Sequence, residues 1–313
     1  MILCADMVAE LRRVVGESAV VRERESMASR TTLKVGGVAD CYVEPGGEEE
    51  LSRLVLWCEG NGVPYFLLGR GSNLLVRDGG IRGVVISLSG EGFSRVESRG
   101  GVLVCGAGAM LKAVVQVARD AGHGGLEFLE GIPGSLGGAL RMNAGAMGSW
   151  TYDVVRSVRA MDRAGVVREV NRSDLDVVYR SCNLFRDHIA LGAVLVGEPM
   201  SPDAITARRK EFNNRRWSSQ PAAASAGCIF KNPDTMPAGQ MIDRLGLKGM
   251  RVGGAVVSDK HANFIVNQGG ASAGDVLGLI ELVRERAMRE CGVDLETEVQ
   301  IVGEDAGCEG GER

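Results

Sequence analysis

Between Ser225 and Pro233 the chain reads S-A-G-C-I-F-K-N-P, which sets a thiol, Cys228, three residues before an ammonium, Lys231, and next to that a carboxamide, Asn232. A packed core has no use for these groups at such spacing, because each costs free energy when buried without a partner. A site that binds an anion and delivers a proton needs all three, and the segment points to an enzyme.

Two glycine-rich segments lie upstream. In Leu67–Leu74, L-L-G-R-G-S-N-L, the glycines Gly69 and Gly71 let backbone amides face an anion, and Arg70, Ser72, Asn73 and Leu74 complete the loop. It lacks the third glycine of the dinucleotide fingerprint, and no helix follows at once. Taken alone it is an ordinary tight turn. Gly131-Ile132-Pro133-Gly134-Ser135-Leu136-Gly137-Gly138, followed by Asn143-Ala144-Gly145, has the same character. Two such loops favour one shared diphosphate ligand over two unrelated turns. Gly106-Ala107-Gly108 runs straight into helix-type residues and is read as a strand-to-helix turn.

Tyr179-Arg180-Ser181-Cys182 offers an arginine fork that can grip a carboxylate in bidentate fashion, although a packed surface arginine is the commoner case. Arg208, Arg209, Lys210, Arg215 and Arg216 lie on one helix that leads into the Cys228 segment, so an arginine there, taken as Arg216, can reach a substrate phosphate. His123 and His188 have no metal-type spacing and are read as structural or exposed. His261 differs, since it sits among hydrogen-bonding groups in S-D-K-H-A-N-F. No metal is expected.

These groups must be positioned by elements of both kinds. Leu3, Met7, Leu11 and Val14 are spaced for a short amphipathic helix. Strands at 39–43 and 63–68 flank a helix at 48–59; further strands are expected at 83–88 and 102–105, then a helix at 110–121. The runs 154–161 and 166–170 flank D-R-A-G, a hairpin signal. A buried strand at 189–196, a helix at 204–216 and a helix at 273–291 opened by a capping box at Ser272 and Asp275 follow. Leu295–Ile301 alternates as a strand, with Leu295, Thr297, Val299 and Ile301 on one face and Glu296, Glu298 and Gln300 on the other. Alternation does not choose between the two glutamates.

Composition bounds the rest. The chain has 313 residues, 45% apolar and 24% charged, with 45 glycines and 8 prolines. That is an ordinary globular composition with many tight turns, long enough for two or three domains. A net charge of −4 gives no reason to expect nucleic acid or an acidic membrane as partner. Eight cysteines without a C-x-x-C pair fit a reduced, cytoplasmic protein. Neither a signal peptide nor a membrane span is expected.

The segments T-T-L-K-V-G-G, L-G-R-G-S-N-L-L-V, E-G-I-P-G-S-L-G-G-A-L-R-M-N-A-G-A-M-G, Y-R-S-C, S-A-G-C-I-F-K-N-P, S-D-K-H-A-N-F-I-V-N and L-E-T-E-V-Q-I-V-G occur in that order from about Thr31 to Gly303. Together they resemble the UDP-N-acetylenolpyruvoylglucosamine reductase (UDP-N-acetylmuramate dehydrogenase) family of peptidoglycan synthesis. The distance from Arg180 to Cys228 suits its shorter form, which lacks an extra substrate loop. The resemblance implies an α+β protein with a two-subdomain FAD-binding fold of the PCMH type and a smaller α+β substrate-binding domain. The expected divisions are an N-terminal helix at 1–28, the FAD-binding domain at 29–197, the substrate domain at 198–303 and a flexible tail at 304–313.

It further implies FAD and NADPH as cofactors, with hydride passing from flavin N5 to C3 of the enolpyruvyl group and a proton to C2. By similarity Arg180 and Glu298 sit at the substrate carboxylate and Cys228 is the proton donor. Tyr179, Arg216, Lys231, Asn232, Lys248, His261 and Asn263 are candidates for the substrate site, and the glycine loops for the cofactor. Family members often carry Ser at the donor position; a thiol, with pKa near ~8.5, is the stronger acid and keeps the role. Cys182 likewise stands where the family pattern has Ser. The implied partners are small molecules, and the chain is taken as a monomer. Rival readings are another FAD-dependent oxidase or dehydrogenase and a non-catalytic nucleotide-binding protein.

Overall fold

The computed structural model describes residues 3–307 and divides the chain into two compact units. One holds the residues up to Glu23, Cys41–Arg70 and Gly83–Arg216; the other holds Arg24–Asp40, Gly71–Arg82 and the chain from Trp217 onward. The expected boundary fell at residue 198, whereas these compact units change over between Arg216 and Trp217. The helix Pro202–Ser219 spans that division without a break, and the excursions at 24–40 and 71–82 supply Leu33, Val35 and Leu75 to the core of the second unit. Apolar residues separated this far in sequence give no periodic signal of the core they share.

In the first unit, helices Ala5–Val15 and Glu48–Gly60 place Leu11, Val15, Leu51 and Leu54 in a core with Val84, Ile86 and Phe93. Tyr65–Leu68 pairs in parallel with residues 84–87. A second sheet is antiparallel throughout, in the order Val167–Asn171, Val155–Met161, Ile189–Leu195, Val102–Gly106 and Val96–Arg99. Its hairpin closes as expected: Asp162 accepts the amides of Ala164 and Val166, each at 2.9 Å, and Gly165 takes φ +77°. Helices Leu111–Asp120 and Leu136–Met142 contribute Val114, Val115, Leu136 and Leu140 to the core that this sheet lines.

In the second unit the sheet order is Ala224–Cys228, Phe264–Asn267, Ala255–Val257 and Arg251–Val252. The helix Ala273–Cys291 packs Val276, Leu279, Ile280 and Val283 into its core. Its start is doubly capped. Ser272 and Asp275 exchange hydrogen bonds of 3.0 Å, and the Asp78 carboxylate accepts the amides of Ala273 and Gly274 at 2.8 and 2.9 Å.

The terminal strand is shorter than its alternation predicts. Only Gln300–Val302 is a ladder, parallel to Leu74–Val76, with an isolated bridge from Thr297 to Phe230. The amides of Glu298 and Val299 both donate to the Ile229 carbonyl, at 2.7 and 3.3 Å, so the strict two-residue period breaks between them. At the start of the expected flexible tail, Glu304 donates its amide to the Gly80 carbonyl at 2.9 Å, and Asp305 pairs with Arg77 at 2.5 Å. Residues 308–313 of that tail lie outside the described residues. Among the described residues no disulfide forms, no helix is long and apolar enough to cross a membrane, and no group of metal-ligating side chains is assembled.

Candidate active site

The Cys228 segment lies on the edge strand of the second unit's sheet. Ser225 is opposite Val266 and Cys228 opposite Phe264, so three steps on one strand meet two on the other. The extra residue makes a bulge, with Gly227 at φ +78°, and a bulge of this kind re-aims the side chains beside it. Beyond Cys228, the Ile229 amide donates to the Asn263 carbonyl at 2.8 Å. The Ile229 carbonyl receives the Glu298 amide, so the proposed acid and the proposed carboxylate are both tied to one residue, Ile229.

The neighbours of that pair are equally specific. Asn73, from the first glycine loop, donates Nδ2 to the Glu298 carbonyl at 3.0 Å and accepts the Gln300 amide at 3.0 Å. Lys231 donates its amide to the Glu296 carbonyl at 2.9 Å, and its ammonium pairs with the Glu296 carboxylate. The structure thereby gives the two glutamates different surroundings, which alternation could not. Asn232 Oδ1 accepts the amide of Ala238 at 3.0 Å, at the start of helix Ala238–Arg244.

His261 stacks on Phe264 with ring centroids 4.8 Å apart, and its Nδ1 accepts the Asn263 amide at 3.2 Å. Burial, and then the Lys248 charge, hold its pKa below the usual histidine range. Lys248 itself pairs with Asp243 at 2.7 Å. Asn263 is buried, and both ends of its carboxamide are engaged with Phe230: Oδ1 accepts the amide at 2.9 Å and Nδ2 donates to the carbonyl at 2.8 Å.

The first unit carries the other half of the candidates. Val177–Val178 and Ser181–Cys182 form a hairpin whose two-residue turn is Tyr179-Arg180. Arg180 has φ +60°, a region that a residue with a Cβ occupies at a cost of about 1–2 kcal/mol. Its guanidinium lies over Trp150 and Tyr179, 5.2 and 5.0 Å from the ring centroids. Asn143, at φ +39° where the helix Leu136–Met142 ends, accepts the Tyr152 amide and donates to the Val178 carbonyl, both at 3.4 Å. Arg216 is half-buried, and burial lowers its pKa. Arg209 is held elsewhere, by Glu130 at 2.5 Å and Gln116 at 3.1 Å.

In the first glycine loop, close packing leaves little room for a side chain. A Cβ on Gly69 would stand 3.1 Å from Ser135 Oγ and 4.0 Å from Gly138 Cα, so the Gly69-Arg70 end of the first loop lies directly beside the second. In the second unit Gly71 takes φ +61°, and a Cβ there would lie 2.4 Å from the Arg30 carbonyl. Not every amide of the second loop faces outward, however. Those of Leu136 and Gly137 donate to Ala109 and Ala107 at 2.9 and 2.7 Å, which makes the Gly106-Ala107-Gly108 turn the support of that loop.

Sequence reading assigned no such role to three contributors. Trp150 underlies Arg180 and left no local signal. Glu296 holds Lys231. Thr32, inside T-T-L-K-V-G-G, donates its hydroxyl to the Ser225 carbonyl at 2.7 Å and its amide to the Gly71 carbonyl at 3.1 Å, which ties the first glycine loop to the Cys228 strand.

The family model for the UDP-N-acetylenolpyruvoylglucosamine reductase C-terminal domain matches residues 220–302, and that for an FAD binding domain matches 39–171. The chain is 45% identical to the UDP-N-acetylenolpyruvoylglucosamine reductase of Geobacter metallireducens, over 97% of this chain and 99% of that one. The chain belongs to the UDP-N-acetylenolpyruvoylglucosamine reductase family. Its relative in Clostridium botulinum is 41% identical over 96% of this chain and 98% of the other. The crystal structure of the reductase from Thermus caldophilus matches with TM-score 0.79 and 39% identity, over 90% of this chain and 99% of that one.

Within this reductase family the α+β architecture and the FAD cofactor follow from the same matches. The FAD-binding match spans Gly69–Leu74 and Gly131–Gly145, and the C-terminal match spans Cys228, Asn263 and Glu298. Tyr179, Arg180 and Arg216 fall between the two.

Proposed function

We propose that this chain reduces UDP-N-acetylenolpyruvoylglucosamine to UDP-N-acetylmuramate, with electrons from NADPH. The observation that carries the reading at the site is the pair Cys228 and Glu298, tied to one shared residue, Ile229, in a chain of this family. FAD, when bound, supplies the hydride that adds to the enolpyruvyl double bond.

The chain's own groups do the rest. Hydride addition pushes negative charge onto the substrate carboxylate, and a planar guanidinium already stacked on two rings meets that charge with little loss of freedom, which is the role of Arg180. Glu298 acts at the same carboxylate. Cys228 then gives the proton to C2, and its place beside a bulge leaves the thiol half-exposed. Lys231, Asn232, Lys248, His261, Tyr179 and Arg216 surround the remainder of the substrate in this reading. Gly69–Leu74, Gly131–Gly138 and Asn143–Gly145 hold FAD, where glycine lets the backbone approach the diphosphate.

The chain is a monomer of the shorter form in this reading. It works in the cytoplasm, where the precursor is made, and so supports cell-wall biogenesis, cell shape and division. The test is anaerobic. The FAD-loaded protein is reduced with one equivalent of NADPH, UDP-N-acetylenolpyruvoylglucosamine is added, and the flavin band near ~450 nm is followed. Return of the band with formation of UDP-N-acetylmuramate supports the reading. A band that stays bleached removes the substrate assignment.

A further inference from the structure

Asn263 is 3% exposed, and its carboxamide and its carbonyl both engage one short stretch of backbone, Ile229–Phe230, while its own amide donates to His261 Nδ1. Its side chain closes a two-bond ring with the Phe230 peptide groups, at 2.9 and 2.8 Å, as a neighbouring strand would. Its carbonyl takes the Ile229 amide at 2.8 Å. Such mimicry is needed at this point. The bulge before Cys228 has thrown the edge strand out of register, and regular pairing with Phe264–Asn267 ends at Cys228. Without the Asn263 carboxamide, Phe230 would leave this sheet with a buried amide and carbonyl stripped of these partners, and only the bond from the Ile229 amide to the backbone carbonyl of residue 263 would remain. The next shell depends on the same two residues, since Glu298 donates its amide to Ile229 and Thr297 bridges Phe230.

We infer that Asn263 is a positioning residue that sets the placement of Cys228 and Glu298 together, through Ile229 and Phe230, and is not a contact to the substrate. The inference deepens the proposed reaction and rests on it for its kinetic readout. Its physical content is independent of that reaction: one buried carboxamide replaces two ladder bonds where the strand has slipped. Asn suits the task because it presents one acceptor and one donor side by side. Asp keeps the acceptor and loses the donor, while Ala loses both.

The test uses the FAD-loaded full chain and the variants Asn263→Asp and Asn263→Ala. Hydrogen exchange is read at the amides of Ile229, Phe230, Glu298 and Val299, and the two half-reactions are timed separately. Exchange at those four amides is expected to quicken in both variants, more in Ala than in Asp, while the amides of the Val155–Met161 strand keep their protection. Reoxidation by the enolpyruvyl substrate should slow about 10- to 100-fold, with NADPH reduction of the flavin and the Kd for UDP-N-acetylglucosamine held within about threefold. A merely structural role would slow both half-reactions alike, and a substrate contact would weaken UDP-sugar binding with exchange unchanged; either overturns the inference. Should Asn263→Ala not fold, the Asp variant carries the same readouts. A wild-type protein that fails to turn over the substrate removes the proposed reaction, while quickened exchange in the variants would still establish the clamp, and unchanged exchange would sink it.

Discussion

The Cys228 edge and the Arg180 turn present reactive groups by opposite means. At the edge, backbone hydrogen bonds do the positioning: Ile229 and Phe230 are bonded to Asn263, Glu298 is bonded to Ile229, and Asn73 holds Glu298 from the other side. At the turn, a residue in a left-handed conformation is kept in place by two aromatic rings and by an asparagine beneath the hairpin. A proton donor must be placed to within a fraction of an ångström, and a ladder of peptide bonds gives that precision. A cation that meets a carboxylate needs the right plane and a fixed charge, which ring stacking supplies.

Cys228→Ala should slow reoxidation of the reduced flavin by substrate about 10²- to 10⁴-fold and leave reduction by NADPH within a few-fold, since only the proton is removed. Stopped-flow measurement of both half-reactions checks it; equal losses would assign the thiol to structure. Arg180→Lys keeps the charge and gives up the fork and the stacking, and should cost about 10- to 100-fold in kcat/KM for the enolpyruvyl substrate. Full activity of the lysine variant would show that the turn supplies charge alone.

Gly71→Ala tests the cofactor side. A methyl group at φ +61°, 2.4 Å from the Arg30 carbonyl, should destabilise the protein by more than about 1 kcal/mol and weaken FAD retention. Thermal unfolding with and without added FAD measures both, and an unaltered Tm would mean that the loop relaxes freely. The smallest effect concerns His261. Its folded pKa lies below the ordinary value, so the unfolded chain takes up the proton first as pH falls. Stability should therefore drop as pH falls below about 6.5 and on toward the folded pKa, with no contribution above that window. Urea unfolding at pH 5.5 and 7.5 should show a steeper loss in the wild type than in His261→Gln; equal losses would detach the histidine from the edge.

Much of this was legible in the chain. The capping box at Ser272 and Asp275, the D-R-A-G hairpin and the helix at 48–60 follow from spacing of neighbouring residues, and they form where expected. The grouping of Cys228, Lys231 and Asn232 was visible for the same reason. Leu295–Ile301 misled because alternation assumes a continuous partner, whereas Glu298 and Val299 converge on one carbonyl. That residues 24–40 and 71–82 join a core made mainly of the chain from Trp217 onward left no local trace, since the partners lie far apart in sequence.

Residue types and local spacing determined by themselves which groups are available for chemistry and which helices and turns form, because those depend on contacts a few residues apart. Their company was decided only by tertiary structure. Trp150 meets Arg180 30 residues away, Asn263 meets Phe230 33 residues away, and Asn73 meets Glu298 225 residues away. Such pairs are set by how the strands pack and where a register slips, and no local pattern encodes a slip.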